Sequence, residues 1–125
     1  MITLELKRMW LAALRSGRFP VGYHKMVDIA SKDDPRIVYD PIGVLGTICG
    51  YEPRELFVMV NSKTPLPLLS HENYGIILSD DASDLIGISY STQMRIRQIH
   101  HLGFIADGSF DQVIRYISRN IKGKR

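Results

Sequence analysis

Cys49 and the four histidines, His24, His71, His100 and His101, are the side chains of this 125-residue chain best suited to nucleophilic, acid–base or metal chemistry. A nucleophilic thiol needs partial exposure and a lowered pKa, supplied by a helix N-terminus or a nearby histidine. Cys49 falls instead near the C-terminal end of a predicted helix, where the dipole opposes a thiolate, so it reads as a buried, inert residue. One cysteine makes neither an internal disulfide nor a paired-cysteine zinc site. His100 and His101 are adjacent, so on a helix they point in different directions and lack a ligand at one-turn spacing. His71 and Glu72 lie in a predicted loop, where functional residues often sit, but have no third partner. Carboxylates cluster at Asp33-Asp34 and at Asp80, Asp81 and Asp84. The first pair reads as a solvated turn and the second set as a favourable charge at a helix start. Neither offers a divalent cation enough oxygen ligands at defined spacing. Gly43, Gly46 and Gly50 reproduce no phosphate-cradling pattern and no lysine follows them. No catalytic residue, cofactor or metal ligand is assigned, and nothing in the sequence requires an enzyme.

Binding is a better prospect than catalysis, and it centres on residues 79–121. Ser79 caps a short helix carrying Ala82, Leu85 and Ile86, and Gly87 ends it. A second helix, expected over 90–102, places Thr92, Ile96, Ile99 and Gly103 inward and Met94, Arg97, Gln98 and His101 outward. Ser109 and Gln112 fit a capping box, followed by the stripe Phe110, Val113, Ile114, Ile117 and Ile121. From Arg115 onward come Arg115, Arg119, Lys122, Lys124 and Arg125 with no acidic residue. These cations suit the end of a solvated helix and can also touch phosphates or an acidic protein. The outward set Met94, Arg97, Gln98 and His101, with Arg115 and Arg119 beside it, is the candidate partner-binding surface.

The segment 82–96 also has the layout of a helix-turn-helix that reads DNA. Ala82, Gly87, Ile88 and Ile96 match its small, glycine and apolar positions. Gln93 does not, because it stands where an aliphatic side chain is ordinarily buried, and an unpaired buried glutamine is costly. Asp80, Asp81 and Asp84 also place negative charge where phosphates would lie.

The rest of the chain must position these helices. Thr3 caps an opening helix with Leu6, Met9, Trp10, Ala13 and Leu14 on one face, and Gly17 stops it. Between residues 18 and 40 the periodicity fades into loop with one or two brief strands near Ile37 and Val38. Asp40 and Pro41 start a helix that carries Ile42, Leu45 and Ile48 inward and ends at Gly50. Gly43 and Gly46 inside it imply that another element packs closely there, since each costs about 1 kcal/mol relative to alanine. Residues 55–60, ELFVMV, are the best strand candidate. Pro65 and Pro67 make residues 61–69 loop or edge, and 75–78 is either a second brief strand or a lead into the helices.

Hydrophobic residues make up 45% and charged residues 23% of the sequence, which places it among globular chains of one domain. The expected fold is α+β: a mainly helical single domain over 1–125 with a small strand element in the middle and a helical C-terminal half over 79–121. The N-terminus interleaves Glu5, Lys7, Arg8 and Arg15 with apolar residues, so it reads as neither signal peptide nor membrane span. That leaves a soluble, cytoplasmic protein in a reducing compartment, with no membrane partner.

Several pieces recur in order: Trp10-Leu11-Ala12-Ala13-Leu14-Arg15-Ser16-Gly17, Gly43-Val44-Leu45, Leu85-Ile86-Gly87-Ile88-Ser89, and Asp107-Gly108-Ser109-Phe110 with the stripe behind it. In these the chain resembles a diffuse family of small uncharacterised bacteriophage and prophage proteins. Relatives often carry cysteines around the Gly-Val-Leu core, where this chain has Asp40, Pro41 and Gly46. The resemblance implies a phage accessory protein in the host cytoplasm, a non-enzymatic module that binds and redirects a host protein. A DNA-binding regulator, with nucleic acid as partner, is the alternative.

Overall fold

Each helix starts where a side chain or a proline takes care of amide hydrogens that have no partner within the helix. In the computed structural model, which describes residues 1–64 and 74–125, Thr3 Oγ1 accepts the Leu6 amide and opens α1 (Leu4–Arg15). Asp40 does the same for the Gly43 amide at 2.7 Å and opens α2 (Pro41–Ile48), with Pro41 in the first turn. Ser79 and Ser89 cap α4 (Asp80–Ile86) and α5 (Tyr90–Asp107) through the amides of Ala82 and Thr92. Gly87 and Gly108, both in the left-handed region, end those two helices. Helix α5 therefore runs past the expected 102 and takes Gly103 into its interior. The last helix, α6 (Asp111–Asn120), departs from the expected capping box: Ser109 Oγ accepts the Asp111 amide at 3.2 Å, and the helix begins beyond it.

The strands are β1 (Val27–Ser31) and β2 (Asp34–Tyr39), an antiparallel pair with Val27 opposite Tyr39 and Ile29 opposite Ile37. Two strands alone are marginal in water, and neighbouring segments support these. The backbone of 20–22 adds a short parallel bridge to Tyr39, and Phe19 meets the Tyr39 ring edge-on at 5.0 Å. Residues 55–60 are not a strand. Glu52 and Glu55 form a reciprocal capping box, Pro53 fills the first turn, and α3 (Pro53–Phe57) results. The run 75–78 also forms no strand; it is irregular, with Ile77 and Leu78 buried. The expected loop at Pro65 and Pro67, and the pair His71 and Glu72, lie outside the described residues.

The fold is thus α+β and mainly helical, with its sheet in the first half of the chain. One continuous core runs through it. Helix α1 packs on α2 and α6, and α5 packs on α2 and α6. Trp10, fully buried, donates its indole N–H to the Pro41 carbonyl at 2.8 Å and so fastens α1 to the start of α2. A Cβ on Gly43 would collide with the Met26 carbonyl, and one on Gly46 would lie 2.7 Å from Leu56 Cδ2, which explains the two glycines inside α2. Near the chain ends, Leu4 N donates to Lys124 O and Lys124 N to Ile2 O, each at 2.8 Å. Among the described residues, no helix is long and apolar enough to cross a membrane.

Candidate interaction surface

Helix α5 faces the core with Gln93, Ile96, His100 and Gly103. Its inward line is therefore rotated from the expected Thr92, Ile96, Ile99 and Gly103. The cause is the set of irregular segments it packs against. Residues 22–26 and 76–78 have backbone groups that no ladder satisfies, and buried backbone polar groups need partners. Polar side chains of α5 supply them. Gln93 accepts the Leu78 amide at 3.0 Å and donates to Ser83 Oγ at 2.8 Å and to the Ile88 carbonyl at 3.4 Å. His100 Nε2 lies 2.6 Å from the Gly22 carbonyl, which makes it the protonated ring nitrogen.

Arg97 corrects the sequence reading most directly. Expected outward as a partner contact, its side chain is only 23% exposed. Its Nη1 donates to the carbonyls of Ile76 (3.2 Å) and His24 (3.4 Å), and stands 3.6 Å from Asp40 Oδ2. It clamps two loops to the start of α2, which leaves less of it at the surface than its expected outward position implies. Burial raises the Asp40 carboxyl to about 7, against the pull of Arg97 and of the Gly43 amide. Burial likewise lowers His100 from the ordinary imidazole range, and the Gly22 carbonyl only partly opposes that.

The other candidate contacts lie on α5 and on α6, which packs against it. Met94 is half-buried, whereas Gln98 and His101 are exposed on α5, and Arg115 and Arg119 are exposed one turn apart on α6. Gln98 accepts from Arg95 at 3.3 Å, and the His101 ring lies 5.4 Å from that of Tyr23. His100 and His101 diverge as their adjacency requires, one buried and one exposed. Cys49 is half-buried at the C-terminal cap of α2, and burial pushes its thiol pKa up. Among the described residues, no three histidine, cysteine or carboxylate side chains gather as a metal site.

The helix-turn-helix layout is present in outline. Ala82, Ile86, Ile88, Gln93 and Ile96 are all buried, Gly87 ends α4 in the left-handed region, and Gln93 of α5 reaches Ser83 of α4. Gln93 fits because Leu78, Ser83 and Ile88 satisfy its amide, so the mismatch with an aliphatic position carries no desolvation cost. Asp80, Asp81 and Asp84 are exposed along α4, as the charge argument required.

A surface that the sequence reading did not single out lies across the molecule's sheet. Ile29 and Ile37, paired across the strands, are 53% and 41% exposed, and Phe57 and Val58 at the end of α3 are 43% and 59% exposed. With Val27 and Pro53 they line an apolar groove of about 300 Å³ between β1–β2 and α3. Lys25 Nζ stands 4.6 Å from the centroid of the Phe57 ring. The usable signal was the pair of isoleucines at 29 and 37, which a hairpin with its turn at 32–33 brings opposite one another. Phe57 and Val58 fall in the run 55–60, expected as a strand, whose lack of alternation marks no exposed face.

Comparison with known proteins finds no matching family model, no matching curated protein and no matching solved structure.

Proposed function

We propose that this chain is a non-enzymatic interaction module whose protein partner docks on the groove between the β1–β2 hairpin and α3. The observation that supports this most is the cluster of Ile29, Ile37, Phe57 and Val58, four large apolar side chains exposed together along one groove. Contiguous exposed apolar patches mark interaction sites, and apolar and aromatic residues dominate the centre of protein interfaces. The resemblance to phage proteins points to a host protein as the partner. The test is affinity capture of the tagged protein from bacterial lysate, with and without nuclease, beside the double variant Ile37→Ser, Val58→Ser. A stoichiometric protein that survives nuclease and is lost with the variant supports the reading. Capture that the variant leaves unchanged moves the interface elsewhere.

DNA binding through α4 and α5 is the second reading, favoured by the satisfied burial of Gln93 within a helix-turn-helix layout. It predicts recovery of nuclease-sensitive DNA and binding that weakens steeply with salt. The exposed aspartates of α4 place it second, because a phosphate backbone crossing that helix would meet three carboxylates.

A further inference from the structure

Strand β1 separates two depressions that share its residues Asp28 and Ile29. On one side is the apolar groove; on the other is a cavity of about 210 Å³ reached by Tyr23, His24, Val38 and Phe104. The rings of Tyr23 and Phe104 lie 4.6 Å apart at 32°, and form an aromatic wall. Asp28, half-buried, accepts the Ile29 amide on Oδ1 at 2.8 Å, and among the described residues no lysine or arginine lines this cavity to balance its charge. Arg54, on the α3 side of the neighbouring groove, is 3.0 Å from Glu52 and is balanced there. A carboxylate beside aromatic faces attracts a cation in two ways, through a charge-assisted hydrogen bond and through the ring quadrupole.

The geometry points to this cavity as the seat of a lysine or arginine side chain from the protein partner, with a neighbouring apolar side chain of the same segment filling the groove across β1. The inference rests on the reading of that groove as the docking surface, and adds the chemistry of what docks: a segment pairing a basic with an aliphatic or aromatic residue. Such a segment crosses β1 where Asp28 and Ile29 line both depressions. The register sets Val27, Ile29 and Ile37 of the groove on one face of the hairpin and Asp28 and Val38 of the cavity on the other, so the segment passes round the edge of β1.

The test is a selection from a phage-displayed random peptide library against the whole chain. Enriched peptides are then synthesised and measured by titration calorimetry and amide NMR shifts against wild type, Asp28→Asn and Tyr23→Leu. Asp28→Asn keeps an oxygen for the Ile29 amide and removes only the charge; circular dichroism of both variants checks the fold. The expected result is a consensus with a basic residue near an apolar one. Its binding should fall about tenfold or more with Asp28→Asn, fall also with Tyr23→Leu, and weaken as sodium chloride rises. Peptides that shift the amides of Ile29 and Val58 but carry no basic residue, or bind Asp28→Asn equally well, overturn this inference and leave the groove reading standing. Enriched peptides that map away from both depressions, or no enrichment at all, overturn both.

Discussion

Replacing Gln93 with leucine should destabilise the fold by about 2 kcal/mol, although leucine is the residue type a helix-turn-helix ordinarily carries at this position. The side chain is fully buried, so water cannot replace what is lost. Its Oε1 is the acceptor for the Leu78 amide, and leaving a buried N–H unpaired costs about 1–3 kcal/mol. Its 2.8 Å Nε2 bond to Ser83 Oγ also goes, a further loss of about 1 kcal/mol, although that hydroxyl keeps its 3.3 Å bond to the Leu78 carbonyl; the 3.4 Å contact with Ile88 O is long and contributes little. The extra apolar surface of leucine returns about 1 kcal/mol. For a chain of this length the balance corresponds to a fall in Tm of about 8 °C, measured by thermal denaturation, with urea midpoints to confirm it. Gln93→Glu is the companion test. Both of its oxygens are acceptors, so it must bury a charge or take up a proton, and its deficit relative to wild type should shrink as pH falls from 8 to 5. A leucine variant as stable as wild type would refute the argument that polar side chains of α5 are fixed by the needs of neighbouring backbone.

Three further outcomes follow from the same packing. Gly43→Ala should cost about 3 kcal/mol or more, since its Cβ meets the Met26 backbone; Gly46→Ala, which meets only the flexible end of Leu56, should be milder in the same thermal melts. Asp40, raised from 3.8 to about 7 in the fold, holds a proton that the unfolded chain releases. Its contribution to stability is present below pH 4 and lost as pH rises through about 7, on the order of 1 kcal/mol per pH unit in between. His100 acts oppositely, contributing above its ordinary 6.5 and losing that as pH falls. Urea midpoints of Asp40→Asn should therefore rise with pH up to about 6.5, while wild type shows the flatter sum of both groups; an unchanged profile would remove Asp40 as a titrating group. Finally, Ile37→Ser with Val58→Ser should leave the urea midpoint almost unchanged, because exposed substitutions typically shift stability by less than about 0.5 kcal/mol each, even where partner binding is lost.

Helix starts were legible because their signals are local: Thr3, Asp40 and Ser79 each cap the helix expected of them. The close approach at Gly43 and Gly46 could also be read, since glycine inside a helix costs enough to need a reason. The facing of α5 could not. Treating its polar residues as outward assumes that the core offers them no partners, and here loop backbone at 22–26 and 76–78 offers several. That long-range pairing has no trace in the periodicity of α5 itself. Residues 53–57 failed differently: an apolar run without alternation carries no period, and the Glu52–Glu55 box that decides for helix lies just ahead of it. The groove followed from neither, because it depends on which faces of the hairpin and α3 remain uncovered.

The backbone bridge between Leu4 and Lys124 makes the covalent order of the chain partly arbitrary. Segments that are already hydrogen-bonded can be joined by a short linker at little loop-closure cost, and new ends can be opened at an exposed turn. The turn at Lys32 and Asp33 is such a place. A circularly permuted chain opened there would put both strands of the hairpin at its ends, and would free the hairpin to be exchanged for others while the helical body stayed a single uninterrupted cassette.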